Sequence, residues 1–456
     1  MTFSDWPWRH WCRLRPDAPA VELAGELLSW RALCTRVDAL AAGFYQQGVR
    51  EGDGVALCAR NRAATLLAWL ALLQCGARLL PLNPQLPAEQ LAALLPGMTL
   101  RFALTLDGAV PLAGLTALRL DNGAGNGGVA WDARRLATMT LTSGSSGMPK
   151  AAVHTPGAHL ASAAGVLAVI PFSEDNRWLL SLPLFHVSGQ GILWRWLLAG
   201  AQLAVREERG LAQALSGCSH ASLVPTQLWR LLNDPQRPET LHTVLLGGAT
   251  IPVELTHAAQ QRGIACFCGY GMTELASTVC AKAADGLPDV GAPLPGREVR
   301  IVANEVWVRA ASLASGYWHN GMLLPLTNAE GWFATRDRGV IADGRLTIVG
   351  RLDNLFFSAG EGIQPEEVER VIARHPGVCQ VFVVPVKDAE FGQRPVAVVE
   401  CSDGVLPERL SGWVRESLAR FQQPVHWLAL PDTLKTGGIK LSRRQLQEWV
   451  ASVLPG

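Results

Sequence analysis

The sequence lacks an excess of basic residues, a long apolar run and a signal-peptide pattern. Its 456 residues carry 40 basic and 39 acidic side chains, a formal net charge of +1, so it lacks the basic excess typical of proteins that bind nucleic acid. Its longest apolar run, residues 63–73, is shorter than the ~20 residues a membrane-spanning helix needs. The first residues lack the basic stretch and apolar segment of a signal peptide. These absences argue against nucleic-acid binding and a membrane span, and they predict a soluble, cytoplasmic protein.

Cysteine is scattered, and lysine and tyrosine are scarce. The ten cysteines include no CxxC pair, and Cys266 and Cys268 are too close for the usual zinc spacing, so reduced thiols packed as small apolar groups are predicted. Only five of the 40 basic residues are lysine, and tyrosine occurs three times. Arginine therefore supplies most of the positive charge, yet three of the five lysines lie in the motifs described next: Lys150, Lys435 and Lys440.

Two kinds of pattern divide the chain. Over residues 29–82, and again after a Gly-rich stretch at 107–128, helical and strand patterns alternate, which is typical of parallel sheets covered by helices. The last hundred residues instead resemble a compact α+β unit, with helices expected over 365–375 and 407–421. We therefore predict an α/β protein with a large N-terminal domain of helix-covered β-sheets (1–350) and a small α+β C-terminal domain (354–456), with the boundary between them at 351–353.

The first motif that carries chemistry is a Gly/Ser-rich segment ending in lysine, TSGSSGMPK. Glycines let the backbone approach a ligand closely, and N–H groups, hydroxyls and an ammonium together suit a polyphosphate. A Walker A loop has Gly-Lys followed by Ser or Thr at a helix start, whereas this lysine follows proline and precedes a strand pattern. The segment predicts a phosphate loop between two strands, with a Ser/Gly linker as the alternative. Its candidate residues are Thr142, Ser143, Gly144, Ser145, Ser146, Gly147 and Lys150.

Further motifs follow this loop in order: PLFHVSG, LLGGA, GYGMTE, GWFATRD, GRLD, SAGEG and KTGGIKLSR. Any one of them alone is a weak signal. As an ordered set over residues 142–443 they resemble the adenylate-forming superfamily, which includes acyl-CoA synthetases, adenylation domains of peptide synthetases and luciferases. The resemblance implies a large domain that binds ATP and a small, mobile domain that carries a catalytic lysine.

The resemblance implies a nucleotide site built from several motifs. Tyr270 offers a flat face to the adenine, Thr273 a hydroxyl to the α-phosphate, and Glu274 an oxygen ligand to Mg²⁺. Taken alone, this segment could be a Gly-flanked turn capped by its Thr and Glu. Asp337 alone could be a turn cap, and within the set its two oxygens accept the ribose hydroxyls. Besides the phosphate loop, the other implied ATP-site residues are Gly247, Gly248, Ala249, Gly271 and Arg351.

Catalytic and hinge residues are implied in the same way. Lys440 matches the catalytic lysine, although Ile439 stands where the family has glycine; an exposed charge at a helix start is the alternative. His186 is implied as a gate beside the carboxylate, with a packed strand end as the alternative. Asp353 is implied as the hinge, and Gly360 as part of a loop that closes on the pantetheine arm of coenzyme A. The acidic residues of the following helix are predicted to have no chemistry: Glu366, Glu367 and Glu369.

Arg195 is the residue most informative about the acid. It lies in an otherwise apolar helix pattern, where a charge is costly unless it is paired. A snorkelling side chain or an internal ion pair would explain it, and so would a counter-charge for a second carboxylate on the substrate. Ser222 and Gly269 are further candidates for contacts with the acid. The segments PLFHVSGQGI and GYGMTELASTVCA further resemble those of ligases for an aromatic dicarboxylic acid, and the resemblance implies such an acid as the substrate.

We therefore predict an ATP- and Mg²⁺-dependent ligase that converts a small carboxylic acid to an acyl-adenylate and passes the acyl group to coenzyme A. One alternative is a different aryl- or acyl-CoA ligase. A second is a stand-alone adenylation enzyme that loads a carrier-protein thiol. A third is a non-catalytic nucleotide-binding regulator, which would not need Lys440. The oligomeric state stays open, a homo-oligomer included.

Overall fold

The structure is a computed structural model that describes residues 2–109, 111–142, 150–207, 210–402, 405–435 and 441–454. The strands, numbered along the chain, are β1 (Pro19–Leu23), β2 (Glu26–Ser29), β3 (Gly54–Cys58), β4 (Arg78–Leu82), β5 (Phe102–Thr105), β6 (Thr116–Ala117), β7 (Thr138–Thr142), β8 (Lys150–His154), β9 (Arg177–Leu179), β10 (Gln202–Val205), β11 (His220–Leu223), β12 (Thr243–Leu246), β13 (Ala265–Met272), β14 (Ser277–Ala283), β15 (Arg297–Val302), β16 (Glu305–Ala310), β17 (Gly316–His319), β18 (Met322–Leu324), β19 (Phe333–Ala342), β20 (Arg345–Arg351), β21 (Phe356–Ser358), β22 (Glu361–Ile363), β23 (Val378–Asp388), β24 (Gly392–Cys401) and β25 (His426–Ala429).

The helices alternate with these strands through most of the chain. They are α1 (Pro7–Leu14), α2 (Trp30–Gln46), α3 (Ala63–Gln74), α4 (Ala88–Leu94), α5 (Pro156–Leu167), α6 (Val187–Ala199), α7 (Leu211–Ala214), α8 (Pro225–Leu232), α9 (Val253–Gln260), α10 (Pro365–Ile372), α11 (Leu410–Val414), α12 (Asp432–Lys435) and α13 (Arg443–Val453). No helix in the described ranges combines the length and the hydropathy that a membrane-spanning helix needs.

Two large sheets form the first part of the molecule. In the first sheet β1, β10, β9, β11, β12 and β13 run parallel, and β2 and β14 flank them antiparallel. In the second sheet β7, β4, β3, β5 and β6 run parallel, and β8, β17 and β18 continue it antiparallel. Strands β3 and β4 are buried along their whole length, as expected of parallel strands covered on both faces. The predicted α/β class is confirmed.

The rest of the chain forms smaller sheets. Strands β15, β16, β19 and β20 make an antiparallel four-stranded sheet, and beyond it lie the β21–β22 hairpin and the β23–β24–β25 sheet. Helix α10 packs on β23 and begins at Pro365, where a proline costs no helix hydrogen bond. The predicted order of a helix, two long strands and a final strand is therefore observed in the C-terminal α+β unit.

The helix expected over 407–421 is wrong. The segment contains a 3₁₀ turn (Pro407–Arg409), the short α11, and a second 3₁₀ turn (Arg420–Gln422). Side chains capture the backbone groups that a longer helix would need: Gln423 Nε2 donates to the Arg415 and Leu418 carbonyls, and the Ala419 N–H bonds to Gln422 Oε1. Such side-chain bonds compete with helix propagation, and periodicity alone does not reveal them.

Two buried histidines lie next to each other, His154 on β8 and His159 on α5. His154 is fully buried, and its ring centroid is 5.1 Å from that of His159. His159 stacks on Trp194, and its Nε2 lies 2.8 Å from Thr138 Oγ1. Burial lowers the pKa of His154 to about 4 and that of His159 well below its usual range. Both imidazoles therefore stay neutral in the fold at pH values where the unfolded chain takes up protons.

This arrangement predicts a loss of stability in mild acid. As the pH is lowered from about 6.5 to about 4, the free energy of unfolding should decrease by up to ~1.4 kcal/mol per pH unit for each such histidine. His154→Gln should flatten that dependence, whereas the same change at the exposed His319 should leave it as in the wild type. Urea midpoints measured at pH 7, 6 and 5 test this, and parallel curves for His154→Gln and wild type would contradict it.

Candidate active site

The expected phosphate loop joins two paired strands. Strands β7 and β8 are antiparallel, and Thr142 at the end of one is the register partner of Lys150 at the start of the other. The two strands that were predicted to flank the loop are therefore confirmed. The loop candidates between them lie outside the described residues: Ser143, Gly144, Ser145, Ser146 and Gly147. Lys150 is exposed, and its Nζ is 5.2 Å from the centroid of the Tyr317 ring.

Tyr317 connects this frame to Glu274, which the sequence did not predict. Strand β17 pairs with β8, so that Tyr317 lies opposite Ala152. Its hydroxyl donates a 2.8 Å hydrogen bond to Glu274 Oε1. This tyrosine was not singled out from the sequence. A usable signal was its rarity, since two of the chain's three tyrosines, Tyr270 and Tyr317, contact candidate-site carboxylates.

A second cluster joins three of the predicted nucleotide residues. The Tyr270 hydroxyl donates to Asp337 Oδ2 at 2.6 Å, and Arg351 Nη1 lies 3.2 Å from Asp337 Oδ1. The Asp337 N–H also bonds to Thr335 Oγ1. Burial, followed by the neighbouring carboxylate of Asp337, raises the pKa of the Tyr270 phenol well above its usual range, so the phenol stays a donor. The cluster fixes the Asp337 carboxylate at the hydroxyl end of the tyrosine ring.

The ends of parallel strands bring the other nucleotide and acid candidates to the same edge of the first sheet. Gly247, Gly248 and Ala249 directly follow β12, while Gly269 and Gly271 lie in β13, beside it. A Cβ on Gly271 would come within 1.8 Å of the Ser277 carbonyl oxygen, so only glycine fits there. Ligands in open α/β sheets bind at the carboxyl ends of strands, and this edge meets that condition.

Arg195 is a buried cation with no acidic partner in the described part of the chain. Only 2% of it is exposed, so it does not snorkel. Its Nη2 donates to Ser222 Oγ at 3.2 Å, its Cζ lies 4.6 Å from the Trp178 ring centroid, and its Nε has no partner. Burial lowers the pKa of Arg195 to about 9. In the described residues neither a snorkelling side chain nor an internal ion pair therefore explains Arg195. Its guanidinium is able to bind an anion.

Gly191 leaves room beside this guanidinium. It precedes Arg195 by one helical turn on α6, and a Cβ there would lie 3.6 Å from Arg195 Nη2 and 3.2 Å from Ser277 Oγ. Neither Gly191 nor Ser277 was singled out from the sequence, because their proximity depends on how α6 packs against β14. His186 lies half-buried at the N-cap of α6, with its ring 4.8 Å from that of Phe185.

The predicted hinge residue is held by two arginines. Asp353 Oδ1 lies 2.5 Å from Arg336 Nη2, and its Oδ2 lies 3.6 Å from Arg351 Nη2. These contacts, with Arg336 foremost, lower the pKa of Asp353. Gly360 has φ +85° in the turn between β21 and β22, where nothing lies within 4 Å of a Cβ added to it. The turn is thus open to solvent or to a ligand.

Lys440 lies outside the described residues, and so does Ile439. The helix that follows, α13, is anchored at its first residue: Arg443 Nη1 lies 2.7 Å from Glu369 Oε1. Glu369 is buried and also accepts the Val383 N–H at 2.7 Å. Glu369 therefore has a structural role in fixing the end of the segment that carries the lysine, in keeping with the expectation that it has no chemistry.

The candidate site fits Mg²⁺ as a partner of bound phosphates. In the described ranges no group of three or more acidic, histidine or cysteine side chains could hold a metal by itself. Mg²⁺ commonly uses one or two carboxylates together with substrate phosphates and water. Glu274, oriented by Tyr317 next to the phosphate-loop frame, supplies one such carboxylate.

Family models match nearly the whole chain. The model described as AMP-binding enzyme matches residues 8–318, and the model for the AMP-binding enzyme C-terminal domain matches 367–454. The chain belongs to the AMP-binding enzyme family. Within that family it is 67% identical over 450 residues to 2-succinylbenzoate–CoA ligase of Salmonella typhimurium, with 99% of each chain covered.

Solved structures agree with this grouping. An R195K variant of E. coli MenE with bound OSB-AMS matches with a TM-score of 0.96 and 64% identity over 100% of both chains. The o-succinylbenzoate CoA synthetase (MenE) of Bacillus subtilis in complex with the acyl-adenylate intermediate OSB-AMP matches with a TM-score of 0.87 and 26% identity, covering 98% and 99% of the two chains. The same enzyme in complex with ATP and magnesium ion matches with a TM-score of 0.83 and 25% identity, covering 93% and 96%.

Proposed function

We propose that this protein is an ATP-dependent ligase that converts o-succinylbenzoate to o-succinylbenzoyl-CoA through an acyl-adenylate, as a step of menaquinone biosynthesis. In the first half-reaction a carboxylate oxygen attacks the α-phosphorus of ATP and pyrophosphate leaves. In the second, the sulfur of coenzyme A attacks the acyl carbonyl, AMP leaves and the thiol proton passes to solvent. The 2-succinylbenzoate–CoA ligase and MenE relatives, which match over nearly the full length, support this reaction.

The first half-reaction brings an anion against a polyanion, so the site must supply fixed donors and positive charge. We assign Thr142, the 143–147 loop and Lys150 to the leaving pyrophosphate. Thr273 donates to the α-phosphate, and Lys440 neutralises charge there. Glu274 holds Mg²⁺, which neutralises charge on the phosphates when bound.

The nucleoside half of ATP is assigned to the Tyr270 cluster. The adenine lies on the Tyr270 ring above the 247–249 turn. Asp337 accepts the ribose hydroxyls, and Arg351 lies beside it. Because the Tyr270 hydroxyl already bonds to Asp337, the adenine and ribose contacts are held in one rigid unit, which lowers the ordering cost of binding.

For the second half-reaction we assign the hinge to Asp353 and the pantetheine-facing turn to Gly360. Rotation of the small domain, which we bound at 354–456, withdraws Lys440 and brings this turn to the adenylate. His186 gates the acyl carboxylate.

The observation that carries the choice of acid is the buried Arg195, for which the described residues supply no carboxylate partner. A buried cation without an acidic partner is costly, and a substrate with a second carboxylate would supply that partner. A monocarboxylic fatty acid would leave the charge unpaired. Ser222, which already accepts from Arg195, and Gly269 in β13 complete the acid site.

ATP–pyrophosphate exchange with a panel of acids tests the proposed function. Exchange should be rapid with o-succinylbenzoate, and weak with benzoate and with a fatty acid, which lack the second carboxylate. Adding coenzyme A should then consume the adenylate, whereas a carrier-protein thiol should not. Faster exchange with benzoate would contradict the assignment of the acid, and the absence of exchange with every acid would favour a non-catalytic regulator.

We also propose that the protein acts in the cytoplasm. No disulfide joins the ten cysteines, all of which lie in the described part of the chain. This supports a reducing, cytoplasmic environment, where ATP and coenzyme A are available.

Tyr317→Phe is predicted to lower the affinity for Mg²⁺ without disturbing the fold. The change removes one hydrogen bond to the Glu274 carboxylate, and such charged hydrogen bonds contribute ~1.5–3 kcal/mol. The Mg²⁺ concentration that half-saturates exchange should rise about tenfold or more, and Mn²⁺ binding with ATP, followed by electron paramagnetic resonance, should weaken in parallel. Tyr45→Phe is the control, since Tyr45 is exposed and stacks on Arg50. Equal metal affinity in both variants would contradict the prediction.

A further inference from the structure

A strained turn forms one wall of the candidate acid site. Ala276 (φ +50°), which follows the Thr273–Leu275 turn, and Ser277 (φ +103°), the first residue of β14, are consecutive non-glycine residues with positive φ. Such conformations are strained for residues with a side chain, and they persist only where the surroundings hold them. Ser277 faces Gly191 of α6, where an added Cβ would contact both Ser277 Oγ and Arg195 Nη2. The turn is therefore next to the Arg195 guanidinium.

Buried donors hold the carbonyl groups on both sides of Ser277. Arg297 Nε donates to the Thr278 carbonyl at 2.9 Å, and Ser162 Oγ donates to the Ala276 carbonyl at 2.6 Å. Arg297 Nη2 in turn donates to the Ser162 carbonyl at 3.1 Å. One guanidinium and one hydroxyl thus clamp the strained turn to α5.

Arg297 is costly to bury. It is 7% exposed, and within the described residues it donates to carbonyls rather than to a carboxylate: those of Thr278, Ser162 and Pro295. Its planar fork reaches three acceptors at fixed angles, which an ammonium cannot do. Helix α5 makes space for it, because a Cβ on Gly165 would lie 2.0 Å from Arg297 Nη1.

We propose that Arg297 is a positioning residue for the acid: through the Ala276–Thr278 backbone it fixes Ser277 beside Arg195 and thereby sets the affinity for the second carboxylate. This inference rests on the proposed function. It assigns to Arg297 no contact with the substrate. Loss of the clamp should therefore act on binding of the acid and leave ATP binding in place.

The test compares Arg297→Lys with Arg78→Lys. Arg78 is a matched control, since it is also 7% exposed and donates to the Gly52 and Thr99 carbonyls. It starts β4 at the end of the second sheet away from Thr142, because Leu79 pairs with Thr138. Both variants should lower the thermal midpoint, and only Arg297→Lys should alter use of the acid.

In ATP–pyrophosphate exchange, Arg297→Lys should raise KM for o-succinylbenzoate about tenfold, as when a hydrogen bond to a charged group is weakened. KM for ATP should stay within about twofold, and the preference over benzoate should shrink by the same factor as KM rises. If Arg297→Lys does not fold, Gly165→Ala keeps the charge, displaces the guanidinium and should produce the same shift. An unchanged KM for the acid in the folded variant, or equal KM changes in Arg78→Lys, would overturn the proposal.

The two hypotheses fail separately. Wild-type protein without exchange on o-succinylbenzoate would refute the proposed function. Wild-type protein that exchanges, together with an Arg297→Lys variant whose selectivity is intact, would refute only the role of Arg297.

Discussion

Replacing Lys440 by alanine is expected to lower the rate of adenylate formation by about 10²–10³-fold, because preorganised charge at a transition state is typically worth this much. Thioester formation from supplied o-succinylbenzoyl-adenylate should stay within about threefold of wild type, since we propose that the lysine acts in the first half-reaction alone. Pyrophosphate exchange and direct thioester assays measure the two steps separately. The sequence argument for this lysine is its place in an ordered motif set within a chain that has only five lysines.

Lys387→Ala is the matched control. Lys387 is an exposed lysine of the same C-terminal unit, on β23, and its loss should leave both half-reactions unchanged. A Lys440→Ala variant that loses both half-reactions equally would count against a lysine that serves one step.

The hinge offers the converse test. Asp353→Pro restricts the backbone at the hinge and should impair thioester formation while sparing the adenylate. Asp353→Ala removes the contacts with Arg336 and Arg351 without that restriction, so it separates loss of the ion pairs from loss of rotation. The same loss of thioester formation in both variants would show that the ion pairs matter rather than the backbone.

Arg195→Met is expected to have opposite effects on activity and on stability. Without the cation, the second carboxylate of the acid is buried unpaired, which costs ~2–5 kcal/mol. The ratio kcat/KM for o-succinylbenzoate should therefore fall by roughly 30- to 4,000-fold, with KM for ATP unchanged. In the ligand-free protein the same change removes a buried charge that no carboxylate in the described residues balances, so the thermal midpoint should rise.

Arg177→Met is the control for the removal of an arginine near Arg195. Arg177 precedes Trp178 on β9, but it pairs with Glu22 at 3.1 Å and bonds to Gln202. The change removes one of the two arginines that pair with the half-buried Glu22, which keeps Arg206 at 2.7 Å, so stability should fall while the preference for the dicarboxylic acid stays. A drop in the thermal midpoint of Arg195→Met as large as that of Arg177→Met would show that Arg195 serves the fold rather than the substrate.

Much of the architecture was predictable because it depends on local pattern. Helix α2 begins after Ser29, whose side chain caps it, and α3 is apolar around its whole circumference, as a fully buried helix must be. The alternation that predicted the parallel sheets and the motif order that indicated the family are both properties of neighbouring residues. The helix expected at 407–421 failed where side chains captured backbone groups, which no periodic pattern records.

In the candidate site, too, some features follow from local sequence pattern and others depend on tertiary packing. The sequence by itself determined which residue types are available, in which order, and that a charge lies in an apolar helix at Arg195. The roles of Lys440, Asp353 and His186 stay predictions. Only the tertiary structure decided that Arg195 has no acidic partner in the described residues, that Tyr317 bonds to Glu274, and that Arg297 clamps the turn at Ser277. The physical reason is that hydrogen-bond partners far apart in the chain meet through strand order and helix packing, which a linear pattern does not contain.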